Sequence, residues 1–183
     1  MASSDDDRCG ARARLVEEHV RLENAHDLEG VLGTFGDQAS YDDKPWDDRR
    51  RGLEAVQAYY EELLAAMPDL HIEIVNQHVA EEAMVLEVVI SGTHLGLWRG
   101  VPATGRHLRF PLCGVYTFDR GDRIAGERIY YDRADVLKQL GLMHDPVTNF
   151  GRLMTGLTHP LTITRAYGRK LLQRRPASQR DHQ

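Results

Sequence analysis

The hydrophobic pattern of this chain changes its period at His71. Before that residue, apolar side chains recur every three or four positions, first between Leu15 and Ala25 and again over Leu53–Met67. After it, apolar and polar residues alternate in four runs, namely His71–Val79, Met84–His94, His107–Phe118 and Arg123–Tyr131. A period near 3.6 predicts amphipathic helices, and a period of two predicts half-buried strands. Helices followed by a strand meander indicate an α+β domain.

The segment that joins the two patterns ends in adjacent carboxylates. Asp27 is the predicted N-cap of a short helix that ends near Phe35, and a strand is predicted over residues 39–43. Because strand side chains alternate between faces, Asp42 and Asp43 cannot both point the same way. One of them is expected to point inward, where a buried carboxylate is a candidate proton acceptor.

The remaining segments are connections and ends. Lys44–Gly52, with Pro45 and three arginines, is predicted to be a loop. The stretch Leu95–Arg106 is a second predicted loop, too long for a tight turn and therefore a candidate functional loop. Ala134–Leu140 is a predicted short helix.

Three parts of the chain are distinguished. Residues 1–10 are predicted to be disordered, residues 11–142 to form the α+β domain, and residues 143–183 to form a basic helical extension with two helices, the second starting at Pro160. Two roles remain open for the extension. Its apolar faces pack on the body or on a partner subunit, or its basic side chains hold it against anionic lipid or an acidic partner.

Composition excludes several classes of function. The net charge of -5 argues against a nucleic-acid binder. Cys9 and Cys113 lie far apart without metal-ligand spacing, the chain starts with no secretory signal and contains no long apolar run, so we expect a cytoplasmic protein. The sequence contains neither a metal motif of the HExxH type nor a glycine-rich phosphate loop, so we expect no metal and no cofactor.

Several motifs resemble those of a known superfamily. The run 24–30, with Phe35, Asp43, Gly52 and Tyr59-Tyr60, is similar to the ketosteroid isomerases of the nuclear transport factor 2-like superfamily. The run 92–96, the run 100–106 and the end of the last strand resemble instead the SnoaL-like polyketide cyclases and ester cyclases. The resemblance covers about residues 12–142. It implies a curved mixed or antiparallel sheet wrapped around the N-terminal helices, a cone with an internal pocket, and a homodimer.

The resemblance also implies roles for single residues. Asp43 falls where ketosteroid isomerases keep the proton-transferring Asp, and His19 falls where they keep the Tyr that hydrogen-bonds the enolate oxygen. Tyr60 matches the Tyr that supports this donor. The second oxyanion donor is replaced by Gly114, and the His and Asp of the polyketide cyclases are replaced by Val115 and Ile129.

We therefore expect cofactor-free proton transfer on a small apolar carbonyl compound, giving isomerisation or ring closure. The predicted catalytic residues are Asp43, His19 and Glu127, since Glu127, Ile129 and Tyr131 are expected to face the pocket from the last strand. The predicted substrate-binding residues are Tyr41, Trp46, Tyr59, Tyr60, His94, Trp98, Val115, Ile129 and Tyr131.

Each of these residues also has a structural interpretation. Asp43 can cap a loop, His19 can be a satisfied core residue, and Glu127 can belong to a structural ion pair. His94 can anchor the loop that follows it. Two other functions also stay open. One is a hydrolase or hydratase like the limonene epoxide hydrolases of the same superfamily, and the other is a non-catalytic ligand-binding module.

Overall fold

The computed structural model describes residues 2–80 and 82–173, with side chains for 7–80 and 82–170. The chain divides into two compact units, one ending at Leu140 and one beginning at Gly141. The helices are α1 Ala2–Asn24, α2 Leu28–Thr34, α3 Leu53–Ala66, α4 Arg133–Gln139, α5 Asn149–Thr158 and α6 Pro160–Gln173. The strands are β1 Ser40–Asp43, β2 Asp48–Arg51, β3 His71–Val79, β4 Ala83–Thr93, β5 His107–Phe118 and β6 Ile124–Tyr130.

The first unit is a six-stranded sheet with helices on one face. The strand order is β2-β1-β6-β5-β4-β3, and the β1–β6 pair is parallel whereas the other pairs are antiparallel. The sheet is mixed, as expected. The core lies between its inner face and helices α1 to α3, and it includes Val16 of α1, Val56 of α3, and Met84 and Leu86 of β4.

Side-chain to backbone contacts fix the ends of the early helices. The Asp27 carboxylate accepts a hydrogen bond from the Gly30 N–H and caps α2, as its sequence position predicts. Asn24 at the end of α1 donates to the Ile72 carbonyl at 2.9 Å and accepts from the Ile72 N–H at 2.7 Å. Its amide therefore ties α1 directly to the backbone of β3.

Two predictions about the N-terminal half are wrong. Residues 2–10, expected to be disordered, belong to α1. Arg8 and Arg12 of this segment both contact the Asp122 carboxylate, at 2.7 and 2.8 Å, which ties the helix to the β5–β6 turn. Met1 lies outside the described residues.

The loop predicted over residues 44–52 contains regular structure. Lys44–Trp46 is a 3-10 helix, and β2 pairs with β1 so that Arg49 lies opposite Asp42. The strand has no apolar residues, and a sequence pattern that depends on alternating hydrophobicity cannot detect such a strand.

The second unit contains the two predicted helices of the extension. The Thr148 hydroxyl caps α5 by accepting from the Gly151 N–H, and α6 begins at Pro160 as expected. Val147, Phe150, Leu153 and Leu157 are exposed. Of the described helices, none has the length and apolar character needed to cross a membrane.

Candidate active site

A cavity lies between the inner face of the sheet and helices α1 and α3. The free space between its lining atoms is about 580 Å³, counting the part that is open to solvent. Its aromatic lining residues are Tyr41, Tyr59, Trp98, Phe110, Tyr116 and Tyr131, and aliphatic side chains from α3 and β3 to β5 complete the walls. The two charged lining residues are Glu23 and Glu127. The site is thus an apolar pocket with two carboxyl groups.

Half of the twelve predicted site residues line this cavity. Those that line it are Tyr41, Tyr59, Trp98, Glu127, Ile129 and Tyr131, and those that do not are His19, Asp43, Trp46, Tyr60, His94 and Val115. On β6, Glu127 and Ile129 are buried whereas Arg128 and Tyr130 are exposed. The expected alternation of faces along this strand therefore holds.

Glu127 is part of a buried cluster, called here the acid cluster, formed by His19, Glu23, Tyr60, Tyr116 and Glu127. The two tyrosines donate to separate oxygens of the Glu127 carboxylate, Tyr60 to Oε2 at 3.2 Å and Tyr116 to Oε1 at 3.1 Å. His19 Nε2 lies 3.6 Å from Glu127 Oε2 and 3.7 Å from Glu23 Oε1. One imidazole therefore lies between two carboxyl groups, away from bulk water.

The hydrogen bonds indicate a protonated His19. The Thr34 hydroxyl donates to the Val31 carbonyl at 2.6 Å, so it accepts from His19 Nδ1–H, which lies 2.7 Å away. Tyr60 donates to Glu127, so it accepts from His19 Nε2–H at 3.1 Å. Because both ring nitrogens act as donors, His19 is an imidazolium in this arrangement.

Burial and charge shift the acid cluster toward neutral pH. Burial disfavours the charged imidazolium, but the carboxylates of Glu23 and Glu127 outweigh this effect and raise the pKa of His19. Burial raises the pKa of Glu23 to about 7, an effect that His19 only partly offsets. A carboxyl group that titrates near pH 7 can act as acid or base at physiological pH.

The same residues are the candidate metal ligands. Among the described residues, His19, Glu23 and Glu127 offer ligand atoms within 4.8 Å of one another. The Tyr60 hydroxyl, at 3.1 Å from His19 and 3.2 Å from Glu127, bridges these two groups. We therefore interpret this cluster as a proton-sharing network.

Asp43 has a different environment. It is fully buried, and Arg99 donates to its Oδ2 at 2.7 Å while also pairing with Asp48. Arg50 binds the Asp48 carboxylate through two nitrogens. We call Asp43, Asp48, Arg50 and Arg99 the arginine cluster. Burial raises the pKa of Asp43, although Arg99 acts against this.

Asp43 contacts the cavity only through its neighbours. Tyr59 and Tyr131, which line the cavity, each place a hydroxyl 3.4 Å from Asp43 Oδ2. Asp43 itself is not a lining residue, and the carboxylate is already paired with a guanidinium. Its role as the catalytic base stays a prediction.

The loop after β4 brings Trp98 into the cavity wall. Trp98 is 3% exposed, and Trp46 packs edge-on against it with ring centroids 6.0 Å apart. The Trp46 indole donates to the Tyr131 hydroxyl at 2.7 Å. His94 accepts from the Thr104 N–H at 3.3 Å, and burial lowers its pKa. His94 therefore anchors this loop, which was its alternative interpretation.

Val115 faces away from the cavity, contrary to expectation. Its neighbours Gly114 and Tyr116 both line the cavity, and strand side chains alternate, so Val115 lies on the outer face opposite Arg128. A shift of one residue in the comparison with the cyclases is enough to invert the assignment. The Tyr116 ring lies over Gly114, where an added Cβ would approach it to 3.2 Å.

Sequence reasoning missed Glu23, Tyr116 and Arg99. Glu23 follows His19 by four residues and thus lies on the same face of α1, a spacing that could have revealed it. Tyr116 alternates with the predicted inward position at Gly114. Arg99 gives no such signal, because its partner Asp43 lies 56 residues away and the two meet only in the folded protein.

The family model for the SnoaL-like polyketide cyclases matches residues 13–140, and the chain belongs to this family. A comparison with curated proteins gives no match.

Solved structures share the fold. AclR from Streptomyces galilaeus, described as a putative hydroxylase, is 23% identical, with 74% of this chain and 98% of AclR covered and a TM-score of 0.64. A putative SnoaL-like polyketide cyclase from Shewanella denitrificans is 15% identical, with 72% and 97% covered and a TM-score of 0.65. SalBIII, an epoxide hydrolase/cyclase-like enzyme of pyran ring formation in salinomycin, is 18% identical, with 69% and 94% covered and a TM-score of 0.60.

Proposed function

We propose that this protein is a cofactor-independent enzyme that moves a proton on a small apolar carbonyl compound and so causes isomerisation or ring closure. The observation that carries the proposal is the acid cluster, which places Glu23 and Glu127 on the wall of an apolar cavity. The polyketide cyclase family and the cyclase-like description of SalBIII agree with this reaction class.

The two carboxyl groups have separate roles in this proposal. Glu127, whose oxygens both accept tyrosine hydroxyls, is the base that removes the proton next to the carbonyl group. Glu23, with a pKa raised to about 7, carries a proton for the carbonyl oxygen. His19 lies between them and allows the proton to return from Glu127 to Glu23.

Hydrogen exchange tests this proposal without knowledge of the natural substrate. Apolar ketones with enolisable positions are incubated with the protein in D₂O, and deuterium uptake is followed by mass spectrometry. We expect catalysed exchange with at least one ketone, and a loss of about 10²- to 10⁴-fold in Glu127→Gln, the range for general acid–base groups. Glu17→Gln, an exposed glutamate on α1, is the matched control.

The same assay separates the other functions. Exchange that persists unchanged in both Glu127→Gln and Glu23→Gln would contradict the assignment. Labelled oxygen from water in an epoxide-derived product, without carbon-bound deuterium, would indicate a hydrolase. Ligand binding without exchange or hydration across the panel would indicate a non-catalytic module.

A further inference from the structure

The charges that line the cavity are of one sign. Of the described lining residues, only Glu23 and Glu127 are charged, and none is lysine or arginine. The His19 imidazolium balances one of the two carboxylates when both are ionised. The inner end of the cavity then has a net charge of about -1 in a region of low dielectric constant, where such a charge interacts strongly with a ligand.

Aromatic rings surround the same space. Tyr41 and Tyr59 lie with ring centroids 4.1 Å apart, and Phe110 and Tyr131 with centroids 5.2 Å apart. Trp98 and Tyr116 add two further rings to the wall. The face of an aromatic ring carries partial negative charge and attracts a cation, most strongly when the cation is desolvated.

We infer that the cavity binds an apolar molecule that carries a positively charged nitrogen, either a protonated amine or a quaternary ammonium group, with the nitrogen beside Glu23 and Glu127. The inference rests on the proposed function only in taking this cavity as the ligand site. Carboxylate, phosphate and sulfate compounds are disfavoured by the same charges, and uncharged apolar compounds bind without the electrostatic gain.

Binding of such a cation is linked to the protonation of Glu23. The titratable groups around Glu23 are His19 on its own helix, Tyr41 on β1, Tyr60 on α3, Tyr116 on β5 and Glu127 on β6. Of these, His19 is the cation that an added ammonium must share the carboxylates with. A bound ammonium favours the ionised form of Glu23, so affinity should rise as the pH rises from 6 to 8.

A pair of probes of equal shape tests the inference. Phenyltrimethylammonium and its uncharged counterpart tert-butylbenzene are titrated into the protein, with binding followed by tryptophan fluorescence, because Trp98 lines the cavity. At pH 8 we expect the ammonium to bind on the order of tenfold more tightly. This preference should shrink at pH 6 and in Glu23→Gln, and it should persist in Glu17→Gln.

Each outcome decides the question. Equal or tighter binding of tert-butylbenzene, or no binding of either probe, overturns the inference, as does a preference that Glu23→Gln and pH leave unchanged. The proposed function fails separately, through absent hydrogen exchange. An ammonium preference without exchange would keep the ligand class and remove the reaction, and exchange without the preference would do the reverse.

Discussion

The acid cluster and the arginine cluster are both buried and both contain two carboxyl groups, but they differ in what balances the charge. In the arginine cluster, Arg50 and Arg99 pair with the carboxylates of Asp43 and Asp48. A guanidinium does not release its proton in proteins, so these charges are fixed. In the acid cluster, a single imidazole serves two glutamates. Its protons can therefore move, which makes it the part of the molecule suited to chemistry.

Loss of Arg99 is the most damaging single change to this comparison. Arg99→Met should lower the free energy of unfolding by about 3–5 kcal/mol, because Asp43 would then be buried without a counter-charge. Urea unfolding measures the loss. The double variant Asp43→Asn with Arg99→Met should recover part of it, and a loss below about 1 kcal/mol in Arg99→Met would show that the pair is not a fixed structural element.

The pH dependence of stability separates the clusters next. Folding raises the pKa of Glu23 from 4.5 to about 7, so its contribution to stability is complete below pH 4.5 and is lost as the pH rises through about 7. The raised pKa of His19 acts in the same direction at higher pH. Stability should therefore fall between pH 5 and 8, on the order of 3 kcal/mol for Glu23.

Glu23→Gln should flatten this fall, whereas Glu17→Gln should leave it as in the unchanged protein. Urea unfolding at several pH values provides the measurement. If both variants follow the unchanged protein across the range, Glu23 does not hold a proton in the folded state.

The Tyr60 hydroxyl is expected to have an intermediate effect. Tyr60→Phe leaves Glu127 Oε2 and His19 Nε2 without a partner and should cost about 1–3 kcal/mol. The exposed Tyr130, also a tyrosine, offers the control Tyr130→Phe, which should change stability by less than about 0.5 kcal/mol. Thermal unfolding of the two variants side by side gives the answer, and equal losses would argue against a hydrogen-bonded network.

The smallest effect should come from Asp42, the other member of the aspartate pair. It pairs with Lys44 and with the largely exposed Arg51, and these two hold its pKa below its usual value against the effect of burial. Asp42→Asn should cost about 1 kcal/mol or less. A loss as large as that of Asp43→Asn, measured in the same denaturation experiment, would erase the distinction between the two faces of β1.

Local patterns in the sequence predict most of the fold. The change of period at His71 predicts all four long strands, and Asp27 predicts the start of α2, because both signals lie within a few residues of the structure that they specify. The strand β2 has no apolar residue, and the first ten residues have no apolar stripe. Their structure depends on charged partners elsewhere in the chain.

The site is only partly predictable for the same reason. A buried glutamate such as Glu23 looks like any polar helix residue in the sequence, and the pairing of Arg99 with Asp43 joins distant segments. The alternation of faces on β6 predicted Glu127, Ile129 and Tyr131, whereas one residue of offset on β5 misplaced Val115. Periodicity gives the face, and the register needs the folded partner strand.

The contact between Asn24 and β3 has a consequence for how these molecules meet one another. Strand β3 lies at the border of the sheet, where an additional strand from a neighbouring molecule would pair with its free backbone groups. The Asn24 amide already uses the N–H and the carbonyl of Ile72, and the register of β3 is interrupted between Ile74 and Asn76. The short, fully charged β2 closes the opposite border. The protein thus protects both ends of its sheet against edge-to-edge aggregation while leaving the cavity face free to bind a ligand.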